Sequence, residues 1–331
     1  MPKSKVTAAV VADRAGVSKW TVIRAFQKDR SIAPKTRDRV LTVAKELGYQ
    51  PNLLARSLAT NQTHQVAVLI DDFSNPFMMP ALGYLTARLQ DAGLLAVLLN
   101  INDNLSHRGA IRNARQRRLD AIVSFGVSFS PKSVIEEMSM THGAPIFVLA
   151  RESTSESLPS VYADPASAIA EMVSYLYDRG YRRPIFFGGP KPTSTALGRR
   201  RRYNENWARN GIAELQEISA ERYDLQAASS VMREYFLKHP KGTHDLILCE
   251  NDVLAVAAVD VARHEFGIAV PEDIAIVGFD DISLASAKAY ELTTIRQPYR
   301  EMIDELVAMI VGDRSISNVA IPGELVVRGT T

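Results

Sequence analysis

Lys19, Trp20, Thr21 and Arg24 stand within six consecutive residues and carry groups that can read a nucleic-acid duplex. Arg24 can donate two parallel hydrogen bonds to a guanine edge, Lys19 can reach a base or a phosphate, and Ser18 and Thr21 offer hydroxyls to phosphate oxygens. A second set of polar residues follows a series of apolar runs: Asp71-Asp72, Gly188-Gly189, Glu250-Asn251-Asp252 and Asp280-Asp281. In open α/β sheets, ligands bind beyond the carboxyl ends of the strands, so these groups converge on one candidate cleft.

The first set needs a helix-turn-helix to aim it, and TAAVVADRAGVSKWTVIRAF, Thr7 to Phe26, reads as one. Thr7 is a candidate N-cap, Ala8 to Ala15 hold no breaker, Gly16 ends the helix, and Ser18 can cap the second. At about 100° per residue, Val22 and Ala25 face inward with Phe26 nearby, while Trp20, Ile23 and Arg24 point elsewhere. An ordinary αα-hairpin matches the same local pattern. After a polar loop comes PKTRDRVLTVAKELGY, with Pro34 suited to the first helical position and Val40, Leu41, Ala44 and Leu47 forming a stripe that closes a three-helix headpiece. Arg37, with Lys35 and Arg39, is a candidate phosphate contact.

Charge separates this head from the rest. Residues 1–60 carry twelve Lys/Arg against four Asp/Glu, a net +8, whereas the whole chain is +2, leaving −6 on residues 61–331. A basic head on an acidic body points to a polyanion partner for the head alone. With 331 residues, 46% hydrophobic, the chain can bury a sizeable core in two or three compact parts. Cys249 is alone, so no intrachain disulfide forms, and its setting DLILC reads as a buried strand. Charge breaks the N-terminus before a signal-peptide core, and no apolar run approaches the ~20 residues of a membrane span, so the expectation is a cytoplasmic protein without membrane contact.

Gln50-Pro51 makes an extended step before NLLARSLAT. That stretch is shorter than the ~12–15 residues an isolated helix needs, so it should be helical only against a partner or DNA. Beyond it, Gln65–Ile70, Leu95–Ile101, Ala121–Phe125 and Ile146–Leu149 are strand candidates with helical patterns between them. Ile185–Phe187, Leu246–Cys249 and Ile274–Val277 form a second series. The expected fold is a small all-α headpiece plus an α/β core of two parallel-sheet lobes. The first break falls near Tyr162–Pro165 and the return near Leu292–Pro298, so each lobe is discontinuous.

GVSKWTVIRAF, PKTRDRVLTVAKELGYQPNLLARSLAT, SNPF at Ser74 to Phe77, VPEDIAIVGFDDI and LTTIRQP, in this order, resemble the lactose/galactose repressor family. The resemblance implies a headpiece at 1–49, a hinge at 50–61, and a core at 62–331 like a periplasmic sugar-binding protein. Lobe one would comprise about 62–162 and 293–320, lobe two about 163–292 and 321–331. It implies a homodimer reading a near-palindromic operator, with Asn52, Ala55 and Leu58 of the hinge in the minor groove and Leu58 as a wedge. It also implies an effector cleft in which Phe77 is an apolar wall, Arg199 and Asn251 are polar anchors, Asp280 is a bidentate acceptor, Tyr223 stacks on the ligand and Asp164 accepts at the lobe crossing. The function implied is a sequence-specific repressor of a carbohydrate uptake or catabolic operon, controlled by a sugar, sugar acid or sugar phosphate.

Several residues depart from the family pattern. Ile23 replaces a serine, Trp20 is unusual at a base-reading position, Pro165 replaces an asparagine, Ala33 a serine cap, and Arg202 a glycine. The run Arg199 to Arg202 raises an anionic effector as one reading and a solvated helix face as another. Catalytic motifs are missing: there is no GxxxxGK[ST], HExxH or GxSxG, and no metal-ligand spacing among the six histidines. No cofactor, metal or catalytic residue is expected; the competing reading is an α/β enzyme that carries a DNA-binding head.

Overall fold

The computed structural model describes residues 6–26, 31–51, 57, 62–126, 134–135, 143–153, 155, 157–191 and 198–331. It divides into two compact units, one ending at Thr63 and one beginning at His64. In the first, α1 (Ala8–Ala15), α2 (Lys19–Ala25) and α3 (Pro34–Leu47) enclose Val11, Val22 and Val40, with Ala12, Ala15, Ala25 and Ala44 allowing close approach. Gly48, at φ 64°, ends α3, where Tyr49 N donates to the Ala44 carbonyl at 2.8 Å. The Tyr49 ring meets Phe26 edge-on, with centroids 5.7 Å apart.

Two local expectations are corrected. The Thr7 side chain makes no cap bond; the start of α1 is held by Val11 N on the Thr7 carbonyl. Leu41 is 38% exposed, because the stripe of α3 that faces the core runs through Val40 and Ala44, with Val43 and Leu47 at its margins.

The second unit opens with β1 (Gln65–Ile70), α4 (Met78–Asp91), β2 (Leu95–Asn100), α5 (His107–Gln116), β3 (Ala121–Phe125), β4 (Ile146–Leu149) and β5 (Ser160–Asp164). It continues with α6 (Pro165–Asp178), β6 (Pro184–Gly188), α7 (Arg199–Arg209), β7 (Gln216–Ser219), α8 (Leu225–Lys238), β8 (Leu246–Cys249), α9 (Asp252–Asp260) and β9 (Ala275–Val277). The chain then returns through β10 (Thr294–Arg296), α10 (Tyr299–Val311), β11 (Val319–Pro322) and β12 (Glu324–Val326). Two parallel sheets result, ordered β11-β5-β4-β3-β1-β2 and β7-β6-β8-β9, beside an antiparallel ribbon of β10 and β12.

Successive side chains of a strand point to opposite faces, and here both faces are apolar. In the six-stranded sheet, Val66, Val68 and Val123 meet Leu85 of α4 and Leu306 of α10, while Ala67 and Ile122 pack with Ala110 and Ile111 of α5. In the four-stranded sheet, Ile185 and Ile247 face Met232 of α8 and Leu254 of α9, while Phe186 and Leu248 join Tyr203 and Trp207 of α7. Three segments cross between the lobes: Asp164-Pro165, Gln297-Pro298 and Gly323.

The strands β5, β7, β10, β11 and β12 are not prominent in the sequence because three to five residues, several polar and half-exposed, give no apolar run to detect. No helix among the described residues is long and apolar enough to cross a membrane.

Candidate nucleic-acid interface and effector cleft

In the headpiece, Gly16 adopts the left-handed conformation at φ 62°, and Val17 N donates to the Ala12 carbonyl at 3.0 Å, which turns the chain sharply into α2. Ser18 Oγ caps α2 by accepting from Thr21 N at 3.1 Å and lies 2.9 Å from Thr21 Oγ1. One hydroxyl hydrogen joins the pair, so the other stays available to an outside acceptor. Val22 and Ala25 are buried, whereas Lys19, Trp20 and Arg24 are exposed and Ile23 is half-buried. Arg37 is half-buried on α3. The expected hinge contacts Asn52, Ala55 and Leu58 lie outside the described residues.

In the core, Arg199 opens α7 immediately after Gly198, whose φ of 70° turns the backbone into the helix. Arg199 is 8% exposed, and its guanidinium lies over the Phe279 ring at 3.7 Å. Nη1 donates to the Glu250 carbonyl at 2.7 Å and Nη2 to Asp280 Oδ1 at 3.3 Å. The same Asp280 oxygen accepts from Gln297 Nε2 at 2.6 Å. Gln297 lies on a segment that crosses between the lobes, so this bond ties the crossing to the strand end that carries Asp280. Asp280 itself sits at φ 122°, a region costly for a non-glycine residue and held here by Asp280 N donating to the Ile295 carbonyl at 2.8 Å.

Glu250 is buried beneath this group and accepts from Gly189 N and from Tyr223 Oη, each at 2.8 Å. A side chain at Gly189 would run into the Tyr223 ring, which explains glycine there. Burial, then the neighbouring Glu250 charge, raises the Tyr223 phenol and keeps it a donor. Burial pushes Asp280 up to about 6 against the pull of Arg199 and Gln297. Asp252, fully buried behind it, is pushed up to about 7 by burial and then by the Asp280 charge. It accepts from Thr294 Oγ1 at 2.5 Å and from Ile282 N at 2.9 Å.

A cavity of about 590 Å³ opens between the lobes, with Phe77, Pro80 and Tyr299 on one side and Asp280, Ile282 and Gln297 on the other. That volume falls in the ~300–1,000 Å³ range of small-molecule sites. Phe77 is buried and meets Tyr299 edge-on at 6.2 Å, an apolar wall facing an acceptor. Arg199 and Gln297 also line a smaller hollow with Arg151 and Tyr162.

The structure thus groups Phe77, Arg199, Tyr223 and Asp280 around the cleft, directly or through Glu250. Asn251 and Asp164 are engaged elsewhere: Asn251 Oδ1 caps α9 by accepting from Leu254 N at 3.0 Å, and Asp164 Oδ1 caps α6 by accepting from Ala166 N at 3.0 Å. Asp281, the other half of the Asp280-Asp281 strand-end pair, binds Arg296 at 2.7 Å and Arg328 at 2.6 Å. The arginine run separates. Arg200 pairs with Glu217 at 2.9 Å, while Arg201 and Arg202 approach Glu205 at 3.8 and 3.7 Å, so only Arg199 turns into the cleft.

Sequence reasoning does not single out Arg151 or Gln297. Arg151 is 7% exposed after β4, near Asp71 and Tyr223, and burial lowers its pKa. The strand-end rule that finds Asp71 would have found it; Gln297 has no signal beyond its place in LTTIRQP.

A basic helix-turn-helix unit with a two-lobed parallel α/β core, whose polar strand ends share one cleft, defines a DNA-binding transcription regulator. Residues 10–52 match the model for "Bacterial regulatory proteins, lacI family", and residues 173–331 that for "Periplasmic binding protein-like domain". The chain thus carries a lacI-type DNA-binding domain followed by a periplasmic-binding-protein-like domain, and its relatives are LacI family repressors. The HTH-type transcriptional repressor CytR of Escherichia coli is 28% identical, over 99% of this chain and 98% of the relative. The ribose operon repressor of Halalkalibacterium halodurans is 29% identical, over 97% of this chain and 96% of the relative. Among solved structures, the lac repressor dimer bound to operator and the anti-inducer ONPF superposes with a TM-score of 0.86 at 23% identity, covering 99% of both chains. The transcriptional regulator CelR–cellobiose complex gives 0.71 at 25% identity, covering 98% of this chain and 100% of that one.

Proposed function

We propose that this chain is a cytoplasmic homodimeric repressor of a carbohydrate uptake or catabolic operon, reading a near-palindromic operator and releasing or gripping it as a small sugar enters the interlobe cleft. Residues 1–49 bind DNA, 50–61 form the hinge, and 62–331 bind effector and dimerise, the two lobes exchanging at Asp164-Pro165, Gln297-Pro298 and Gly323 rather than at the bounds expected from the sequence. Arg199, Asp280 and Gln297 beside the cavity carry the reading: donors and acceptors from both lobes meet where a hydroxyl-rich ligand can replace their mutual bonds. The lac repressor and CelR complexes and the ribose operon repressor support it by their names.

Charge balance favours an uncharged sugar over a sugar acid or phosphate. The cavity is lined by four carboxylates, Asp280, Asp281, Glu301 and Glu324, against two cations, Arg296 and Arg300, and the buried Arg199 beside it is paired with Asp280. A ligand shifts an equilibrium only through differential affinity for its two states, so effector binding must alter lobe closure.

Two experiments test this. The fragment His64–Thr331 should show a thermal shift with its sugar yet no longer retard any duplex, and retained DNA binding would remove the headpiece from its assigned role. Arg24→Ala should cost about 1–3 kcal/mol on operator and little on random duplex, whereas Arg37→Ala should weaken both alike. Titrations on the two duplexes settle it; equal losses for Arg24→Ala would take that residue out of base reading.

A further inference from the structure

Trp20 leaves 72% of its surface in solvent, while the chain's other tryptophan, Trp207, is fully buried. At about 100° per residue, Trp20 sits opposite the buried Val22 and Ala25, in the middle of an outward arc that runs Lys19, Ile23, Trp20, Arg24. Two cations therefore flank an apolar pair, Ile23 and Trp20, on the helix that follows the tight turn. An indole offers one N–H donor and no acceptor, so most of its surface can be satisfied only by apolar contact. On a major-groove edge the apolar group is the C5-methyl of thymine; cytosine instead presents an amino donor, which an indole N–H cannot accept.

Resting on the operator-binding reading above, we propose that Trp20, supported by Ile23, is a specificity-determining residue that reads the methyl group of a thymine next to the base pair contacted by Arg24. The +8 charge of residues 1–60 favours DNA as the occupant of this face over another apolar protein surface.

The test uses the full chain. Binding sites are selected from a random duplex pool, and anisotropy titrations at one fixed salt concentration compare the winning site with copies in which each thymine is replaced in turn by deoxyuridine, which lacks only the methyl. One position per half-site should lose affinity roughly four-fold, the worth of one buried methyl group. Trp20→Ala should bind the thymine and deoxyuridine sites equally, while Arg24→Ala keeps the difference. Replacing that thymine with 5-methylcytosine separates the methyl from the rest of the base, and recovery relative to cytosine is expected. Circular dichroism confirms that Trp20→Ala folds. A winning site indifferent to deoxyuridine at every position, or a Trp20→Ala variant that keeps the wild-type penalty, overturns the assignment while leaving DNA binding intact. A pool with no enriched sequence would instead overturn the operator-binding reading, and this one with it.

Discussion

An Arg199→Ala variant should lose its thermal-shift response to the effector and about 3–5 kcal/mol of core stability, as happens when one partner of a buried ion pair is removed. The guanidinium meets three demands at once. It pairs with Asp280, satisfies the buried Glu250 carbonyl, and covers the Phe279 face. Its loss leaves Asp280 with Gln297 as its remaining described side-chain partner, and leaves the Glu250 carbonyl without that donor. Urea titration of the wild-type and variant cores measures the stability change. Asp280→Asn is the milder change, because it keeps the shape and one acceptor oxygen while removing the charge. That variant keeps an acceptor for Arg199 and Gln297 but leaves the buried guanidinium without its carboxylate, so it should also lose stability, though less than Arg199→Ala, and it should lose most of the effector coupling, ordinarily about 1–3 kcal/mol. Effector-free operator affinity should stay within a few-fold if the ligand releases DNA. A corepressor would instead leave both variants in the weak-binding state. Full response of either variant at effector levels that saturate the wild type would show that the cleft group does not sense ligand.

How much of this arrangement the sequence discloses depends on which physical signal each part leaves. Gly16, Ser18 and the inward Val22 and Ala25 specify the helix-turn-helix locally, through turn conformation, capping and periodicity, and all lie within a few residues of one another. The long apolar strands of both sheets disclose themselves in the same way. β10 and β12 do not: Thr294–Arg296 and Glu324–Val326 pair with each other across the chain, and neither has an apolar run. They nevertheless position the crossings, since Arg296 bridges Asp281 and Glu324 at 2.7 and 2.9 Å.

The candidate site divides along the same line. Asp280 and Arg199 were accessible through motif context and strand ends, but their mutual contact spans 81 positions in sequence and needs the fold to be seen. The arginine run shows the limit of composition most directly. Four adjacent like charges suggest one anion site, yet a helix fans successive side chains around its axis, so Arg200 reaches Glu217 while Arg199 turns inward. Arg151 shows the converse, a single residue with no pattern around it that becomes notable only once it is buried near Asp71 and Tyr223.

Asp252→Asn should change how the core responds to pH more than any surface substitution. In the unfolded chain an aspartate ionises near 3.8, whereas in the folded core burial holds Asp252 at about 7 and Asp280 at about 6. Between about pH 4 and 7 the folded core keeps protons that the unfolded chain has released, so these two groups make stability fall as pH rises through that window. The gap for Asp252 corresponds to on the order of 4 kcal/mol. Other groups act differently. Asp224 and Asp273, held below the ordinary value by their hydrogen-bond partners, lose their contribution only in more acid solution. His107 and His244, lowered chiefly by burial, oppose the aspartates up to about pH 6.5. The difference between wild type and Asp252→Asn isolates the aspartate, since asparagine has the shape of the protonated acid and can donate to Thr294 Oγ1 while accepting from Ile282 N. Urea titrations at pH 5 and pH 8 should therefore show Asp252→Asn gaining on the wild type by a few kcal/mol between the two. A difference that stays constant across that range would mean Asp252 is ionised throughout, and that the hydrogen bonds from Thr294 and Ile282 outweigh its burial.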